Sequence, residues 1–352
     1  MPPDFTTNAV TTTLITGGSG YFGSLLLKKC LARGNRCRVF DLNDADDRPA
    51  EVEYLRGDIR DLDAVKAACA GVDVVYHNVA QVPLAKDSQL FESVNRGGTE
   101  NLLSASRAAG VRKVVYTSSS AVFGVPKSNP VTEATPPSPG ETYGQAKLEG
   151  ERLCARYVSD GLDVSIIRPR TILGHGRLGI FQILFEWIRE GSNVPVLGRG
   201  DNVYQFVHAD DLADACILAA ARPGAETYNC GTDEFGSMRD VLEGLCRHAG
   251  TGSKVKSVPM GPAVLGMKLT SVLGLSPLGA YHALMYGRSM YFDIAKAKSQ
   301  LGWKPKYSNL QMFIESYGWY LANREQVLRS HSGSHHRSAV KQGALKLVKW
   351  ML

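Results

Sequence analysis

Thr16-Gly17-Gly18-Ser19-Gly20-Tyr21-Phe22-Gly23 follows a short β-branched run, Thr12–Thr16, and leads into an apolar helical pattern over Tyr21–Arg33. The glycines at 17, 20 and 23 suit a tight turn, close backbone approach to a pyrophosphate, and close packing of helix on strand. A helix that opens at Tyr21 and Phe22 turns unpaired N–H groups and a positive dipole end towards phosphates. Glycine triplets also mark ordinary turns. Here the strand–turn–helix context singles out a dinucleotide site, and the residues that follow bear on it.

The second strand ends Val39-Phe40-Asp41, which places a carboxylate eighteen residues beyond Gly23. There it can accept hydrogen bonds from both ribose hydroxyls and repel a 2′-phosphate, which favours NAD over NADP. A turn cap within Asp41-Leu42-Asn43-Asp44 is the competing role. After the third strand comes Gly57-Asp58-Ile59-Arg60-Asp61, where Asp58 could meet an adenine amine and Ile59 the ring face. Taken alone, Asp58 could equally cap a helix.

Working outward, short β-branched runs alternate with helical spacing through the first half of the chain. Strands are expected at Thr12–Thr16, Arg36–Asp41, Val52–Arg56, Asp73–His77, Lys113–Thr117 and Asp163–Arg168. Helices are expected at Tyr21–Arg33, Leu62–Ala70, Phe91–Ala109 and Thr142–Ser159. This is the rhythm of a doubly wound parallel sheet in an α/β fold. Val125–Glu141, rich in Pro, Ser and Thr, is expected to be a surface loop. Beyond Arg170 the rhythm breaks: a loop at Gly174–Gly179, a helix over Phe181–Glu190, a strand Val203–Val207 and a helix from about Asp210. The division expected is residues 1–170 for the dinucleotide-binding part, with interleaving, 171–325 mainly for substrate, and 326–352 for a basic tail.

Two further pieces add chemistry. The strand Lys113–Thr117 runs into Ser118-Ser119-Ser120, and Tyr143-Gly144-Gln145-Ala146-Lys147 opens a helix some twenty residues on. Spacing of four puts Tyr143 and Lys147 on one helical face. A tyrosine of ordinary pKa is a poor base near neutrality. A neighbouring ammonium and an oxidised nicotinamide would stabilise its phenolate, while a serine hydroxyl held the substrate oxygen.

Together, TGGSGYFG, GDIRD, VNRGGTENLL, VVYTSSSAVFG and YGQAK resemble the extended short-chain dehydrogenases/reductases, and more narrowly their NAD-dependent epimerase/dehydratase family. The resemblance spans about residues 10–325 and ends with Asp293-Ile294-Ala295-Lys296-Ala297 and Leu301-Gly302-Trp303. It implies an extended Rossmann fold with a smaller C-terminal substrate-binding part. It also implies Tyr143 as acid/base, Lys147 as its electrostatic partner and ribose ligand, and Ser119, counted back from Gly124, as the hydroxyl on the reacting oxygen. Asn95 matches a helix asparagine near the cofactor. Val79 and Ala80 match the loop beneath the adenosine, and Arg168-Pro169 the segment beside the nicotinamide.

Departures from the family pattern narrow the chemistry. Dehydratases and decarboxylases of the family carry an acid just after the catalytic Ser or Thr, where this chain has Ser120-Ala121, so redox or redox-coupled epimerisation is favoured. Two features weaken a nucleotide-sugar substrate: Arg170-Thr171-Ile172 after the sixth strand, and Asn202-Val203-Tyr204-Gln205 before Phe206-Val207-His208. Arg170, Arg177, Arg199 and Arg288 remain available to a diphosphate. The apolar stretch 258–287 resembles the lipid-facing part of 3β-hydroxysteroid dehydrogenase-like members. Three alternatives stay open: an enzyme on a nucleotide sugar, an enzyme on a sterol or other lipid alcohol, and a non-catalytic NAD sensor, against which the Tyr143–Lys147 pair argues.

Bulk properties set the remaining bounds. At 44% hydrophobic and 21% charged, the 352-residue chain can bury a large core without metals or disulfides. A net charge of +6 is too diffuse to point to nucleic acid. Seven scattered cysteines, never spaced CxxC, suggest reduced buried thiols in a cytoplasmic protein. Neither a signal-peptide pattern at the N-terminus nor an eighteen-residue apolar run is found. Val340, Ala344, Leu347, Val348 and Met351 share one helical face opposite Lys346 and Lys349. Such a basic amphipathic helix can lie in a membrane interface or dock on protein. His331, His335 and His336 invite a metal, but no carboxylate or cysteine stands nearby, so no metal is expected. The resemblance further implies homodimerisation through the helices at Phe91–Ala109 and Thr142–Ser159.

Overall fold

The computed structural model describes residues 10–81, 88–259, 261 and 287–329. Most of the apolar stretch 258–287, the histidines at 331–336 and the helix expected over 340–351 lie outside the described residues.

The expected strands form with their ends moved by at most one residue. They are β1 (Thr12–Thr16), β2 (Arg36–Asp41), β3 (Glu53–Arg56), β4 (Val74–His77), β5 (Lys113–Thr117) and β6 (Val164–Pro169). Between them run α1 (Tyr21–Leu31), α2 (Leu62–Cys69) and α5 (Thr142–Ser159). The single helix expected over Phe91–Ala109 is instead α3 (Ser88–Glu92), a π-helical turn Ser93–Gly98, and α4 (Thr99–Ala108). Wide turns of this kind gather at functional sites because they redirect a side chain out of the helical register.

After β6 come β7 (Thr171–Leu173), α6 (Phe181–Arg189), β8 (Val194–Leu197), β9 (Val203–Tyr204), β10 (Phe206–His208) and α7 (Ala209–Ala221). They are followed by β11 (Thr227–Cys230), β12 (Gly236–Ser237), α8 (Met238–Ala249), β13 (Val255–Val258), α9 (Ala295–Leu301) and α10 (Asn309–Arg329). The strand expected over Val203–Val207 breaks at Gln205. Its buried amide donates to Thr232 O (2.8 Å) and accepts from Phe292 N (2.8 Å), so β9 pairs with β12 while β10 pairs with β7.

Seven strands form one parallel sheet in the order β11-β6-β5-β4-β1-β2-β3. The strand order reverses between β1 and β4, and ligands of such sheets bind at the carboxyl ends of the strands beside that switch point. Alternation along β1 sends Leu14 to one face and Ile15 to the other, both fully buried. On the first face α2, α4 and α5 pack through Val65, Leu102 and Cys154. On the second, α1 and α7 pack through Leu26, Leu212 and Cys216. A third cluster, with Trp187, Phe206, Leu242, Phe313 and Tyr320, joins α6, α8 and α10 away from the sheet. All seven cysteines are buried and unbridged.

The loop at 125–141 is less superficial than expected. Val131 is fully buried and bridges to Phe292, and Glu133 accepts from Asn229 N at 2.8 Å. A strand-like contact anchors a segment whose composition advertises only a loop. Among the described residues, no helix is long and apolar enough to cross a membrane.

Candidate active site

The glycine turn sits at the carboxyl end of β1. Gly17 has φ +70°, and a Cβ on Gly23 would lie 2.1 Å from Gly17 O, so α1 can begin this close to the strand only without a side chain there. Whereas Asp61, Glu141, His208 and Ser237 cap α2, α5, α7 and α8, no side chain caps α1 at Gly20. Two buried polar atoms at this edge, Ser19 Oγ and Asn78 Nδ2, have no partner among the described residues. Orphaned donors beside an uncapped helix fit a polar ligand such as a dinucleotide.

Asp41 accepts from Ser19 N at 3.1 Å with one oxygen and weakly from Asn43 N at 3.4 Å with the other. It thus holds both the glycine turn and its own turn, and burial pushes its carboxyl up. Asp58 is taken by Arg60, whose side chain lies across both carboxylate oxygens and holds it below its ordinary value. Asp61, rather than Asp58, caps α2. Ile59 is buried in the core cluster of α2 and α4. Val79 crosses under Gly17, its backbone nitrogen 3.2 Å from where a Cβ of Gly17 would stand, and Ala80 follows half-buried. Asn95, on the π-helical turn, accepts from Gln81 N (2.9 Å) and donates to Gln81 O (3.2 Å). Its amide therefore clamps the loop that carries Val79 and Ala80.

The three serines after β5 face three different ways. Ser118 donates to Glu151 (2.5 Å), Ser120 accepts from Arg170 Nη1 (2.8 Å), and Ser119 Oγ accepts from Ala121 N (3.1 Å) while lying near enough to the Tyr143 hydroxyl to lower its pKa. Tyr143 enters in the first turn of α5, where the Glu141 carboxylate accepts from Tyr143 N (2.8 Å) and Gly144 N (2.6 Å). Burial pushes the Tyr143 phenol up, while the Arg177 guanidinium and the Ser119 hydroxyl pull it back. Lys147 is buried one turn on, donating to Thr117 O at 2.8 Å with its Nζ 6.0 Å from the Tyr143 ring centre. Burial holds Lys147 down at about 8. Pro169 ends β6, paired in register with Cys230 of β11.

Beneath these groups lies an ion pair that sequence inspection missed. Glu151 receives Arg168 through Nε (2.9 Å) and Nη2 (2.6 Å), as well as the Ser118 hydroxyl. The signal was present: Tyr143, Lys147 and Glu151 recur every four residues on one face of α5. Of the four arginines considered for a diphosphate, Arg199 and Arg288 are exposed, Arg177 is half-buried and Arg170 is fully buried. Arg170 stacks over Tyr204 at 4.5 Å, and its Nε and Nη2 have no hydrogen-bond partner among the described residues.

His175, His208 and Glu315 bring ligand-type atoms within 4.8 Å of one another. His208 Nδ1 accepts from Asp210 N, however, so its proton sits on Nε2 and is donated to Glu315 at 2.7 Å. That nitrogen has no lone pair for a metal in this arrangement.

The model of the NAD dependent epimerase/dehydratase family matches residues 13–231. An uncharacterised protein of Sinorhizobium fredii is 57% identical, over 97% of this chain and 87% of its own length. A 3 beta-hydroxysteroid dehydrogenase/Delta 5→4-isomerase of Mycobacterium tuberculosis is 30% identical, over 93% of this chain and 95% of its own. Among solved structures, the UDP-glucose 4-epimerase of Thermus thermophilus in complex with NAD matches with a TM-score of 0.70 at 27% identity, covering 88% of this chain and 99% of that one.

Proposed function

This chain belongs to the NAD-dependent epimerase/dehydratase family, and from that premise we propose that it moves hydride between NAD and a secondary alcohol or ketone carbon of a nucleotide sugar. NAD is its cofactor, and the Gly17–Gly23 turn, Tyr21 and Phe22 at the start of α1, and Asp41, with Val79 and Ala80 beneath, would hold it. When bound, NAD supplies a hydride acceptor at its nicotinamide ring.

The observation that carries the chemistry is the Ser119–Tyr143 hydroxyl pair standing above Lys147. Ser119 holds the reacting oxygen of the substrate, and Tyr143 takes the hydroxyl proton as hydride leaves the carbon. Lys147, fixed by Thr117 O, holds a positive charge under the ring and stands where it can donate to a ribose hydroxyl. No acid follows Ser119, since Ser120 is occupied by Arg170, so neighbouring-carbon elimination has no proton donor at that position.

For the substrate, Arg170 supports a phosphate-bearing molecule. A buried guanidinium with two unpartnered nitrogens suits an anion better than an apolar ring system. A sterol-like or other lipid alcohol is the second reading, favoured by the 30% identity to the hydroxysteroid dehydrogenase. Mixing the protein and NAD with UDP-hexoses, and separately with a 3β-hydroxysteroid, separates the two by the absorbance of reduced nicotinamide. Tyr143→Phe is expected to lower kcat by about 10²–10⁴ while NAD affinity stays within twofold. Reduction of NAD by the steroid alone would reject the sugar, and an unaffected Tyr143→Phe enzyme would reject the mechanism.

A further inference from the structure

Arg177 lies in the turn between β7 and α6, its backbone N–H donating to Gly174 O at 3.0 Å. Its guanidinium covers the ring of Tyr21, with Cζ 5.4 Å from the centroid, and its charge acts on the Tyr143 hydroxyl as well. Although it is half-buried, no hydrogen bond or ion pair with a described residue meets this cation. Burial pulls its pKa down, as expected for a guanidinium that has lost water and gained no anion.

The turn that carries it is fastened on two sides. The Tyr21 hydroxyl donates to Gly174 O, and His175 Nε2 lies 2.6 Å from an Asp210 oxygen on α7. His175 adopts φ +45° between Gly174 and Gly176, a left-handed conformation that a histidine keeps only where its surroundings hold it. Arg177 is thus held against the first residue of α1, the helix that no side chain caps. An anion at that helix end would find N–H groups on one side and a waiting cation on the other.

We propose that Arg177 is a cofactor-binding residue that closes over the diphosphate of NAD from the wall opposite α1. This rests on the reading that the Gly17–Gly23 turn receives that diphosphate. Because the charge of the guanidinium also reaches the Tyr143 hydroxyl, cofactor binding and the acidity of the catalytic hydroxyl share one charge.

Calorimetric titration of the full chain with NAD, ADP-ribose and AMP tests this, since only the first two carry a diphosphate. Arg177→Met should weaken NAD and ADP-ribose by about 10–100-fold and AMP by less than twofold, with Arg177→Lys recovering most of the loss. If the Met variant fails to fold, Arg177→Gln carries the same comparison, with thermal unfolding as the check. NAD and ADP-ribose held at wild-type affinity would overturn the proposal, as would an equal loss of AMP. Unchanged NAD affinity with weakened UDP-glucose binding would also overturn it, assigning the cation to a substrate anion. Wild-type protein that binds AMP but neither diphosphate would sink the underlying placement of NAD, a failure visible before any variant is made.

Discussion

Arg168 and Arg170 stand two residues apart at the exit of β6, 7% and 1% exposed, yet only Arg168 meets a carboxylate. Around Arg168 the corner beneath Lys147 is closed: Glu151 is shared between the guanidinium and Ser118, and Lys147 is satisfied by Thr117 O. Around Arg170 and Arg177, on the side of Tyr143 and Ser119, cations stand without anions among the described residues, where polar atoms at Ser19, Asn78 and Arg170 also lack partners. Charge that is met inside the chain holds the chain together. Charge left unmet at comparable burial costs stability and is retained where a ligand can complete it.

The largest effect should come from setting the two arginines against each other. Arg168→Met strands Glu151 as a buried unpaired carboxylate and should cost about 3–5 kcal/mol in denaturant unfolding. Arg170→Met removes a buried cation that has no anion and should leave stability unchanged or raise it, the relieved charge burial offsetting the bond to Ser120 and the stacking on Tyr204. Equal losses in the two variants would erase the distinction between the corners.

A smaller effect tests Lys147, which lies on the boundary between them. Its folded pKa of about 8 is below the ~10.4 of an unfolded lysine, so the unfolded chain holds the proton more tightly between those values. The stability of the wild type should therefore rise with pH across that window. Lys147→Met should be more stable than wild type at neutrality by up to about 3 kcal/mol, less about 1 for the lost bond to Thr117 O. That advantage should vanish as pH passes ~10.4, measured as Tm against pH. An advantage that persists at high pH would mean that packing, rather than charge burial, separates the two proteins.

Glu141→Ala gives the smallest effect. Removing the α5 cap should cost about 1 kcal/mol and loosen Tyr143, whose N–H it binds, without touching the closed corner. A thermal melt and NAD reduction rates on one sample would show whether the loss stays local.

The framework around these corners is legible in the sequence. The first six strands announce themselves by β-branched runs, and Tyr143 and Lys147 by their spacing, because those signals live within one element. Asn95 was visible as a helix residue, but its bidentate hold on Gln81 was not, since it needs the π-helical turn that Ser93–Gly98 adopts. The break at Gln205 and the burial of Val131 were hidden for a similar reason, both being contacts with the distant Phe292.

By itself, then, the amino-acid order determined the alternating α/β framework, the glycine turn with its following carboxylate, and the helix face that carries Tyr143 and Lys147. All of these are periodicities or spacings of a few residues, within reach of local backbone geometry. Only the tertiary structure decided that Ser118 and Ser120 are taken up by Glu151 and Arg170, that β11 extends the sheet beyond β6, and which buried arginine has a carboxylate. Those outcomes depend on groups far apart in the chain arriving at one place, where low dielectric and close packing decide whether a charge is paired or left to a ligand.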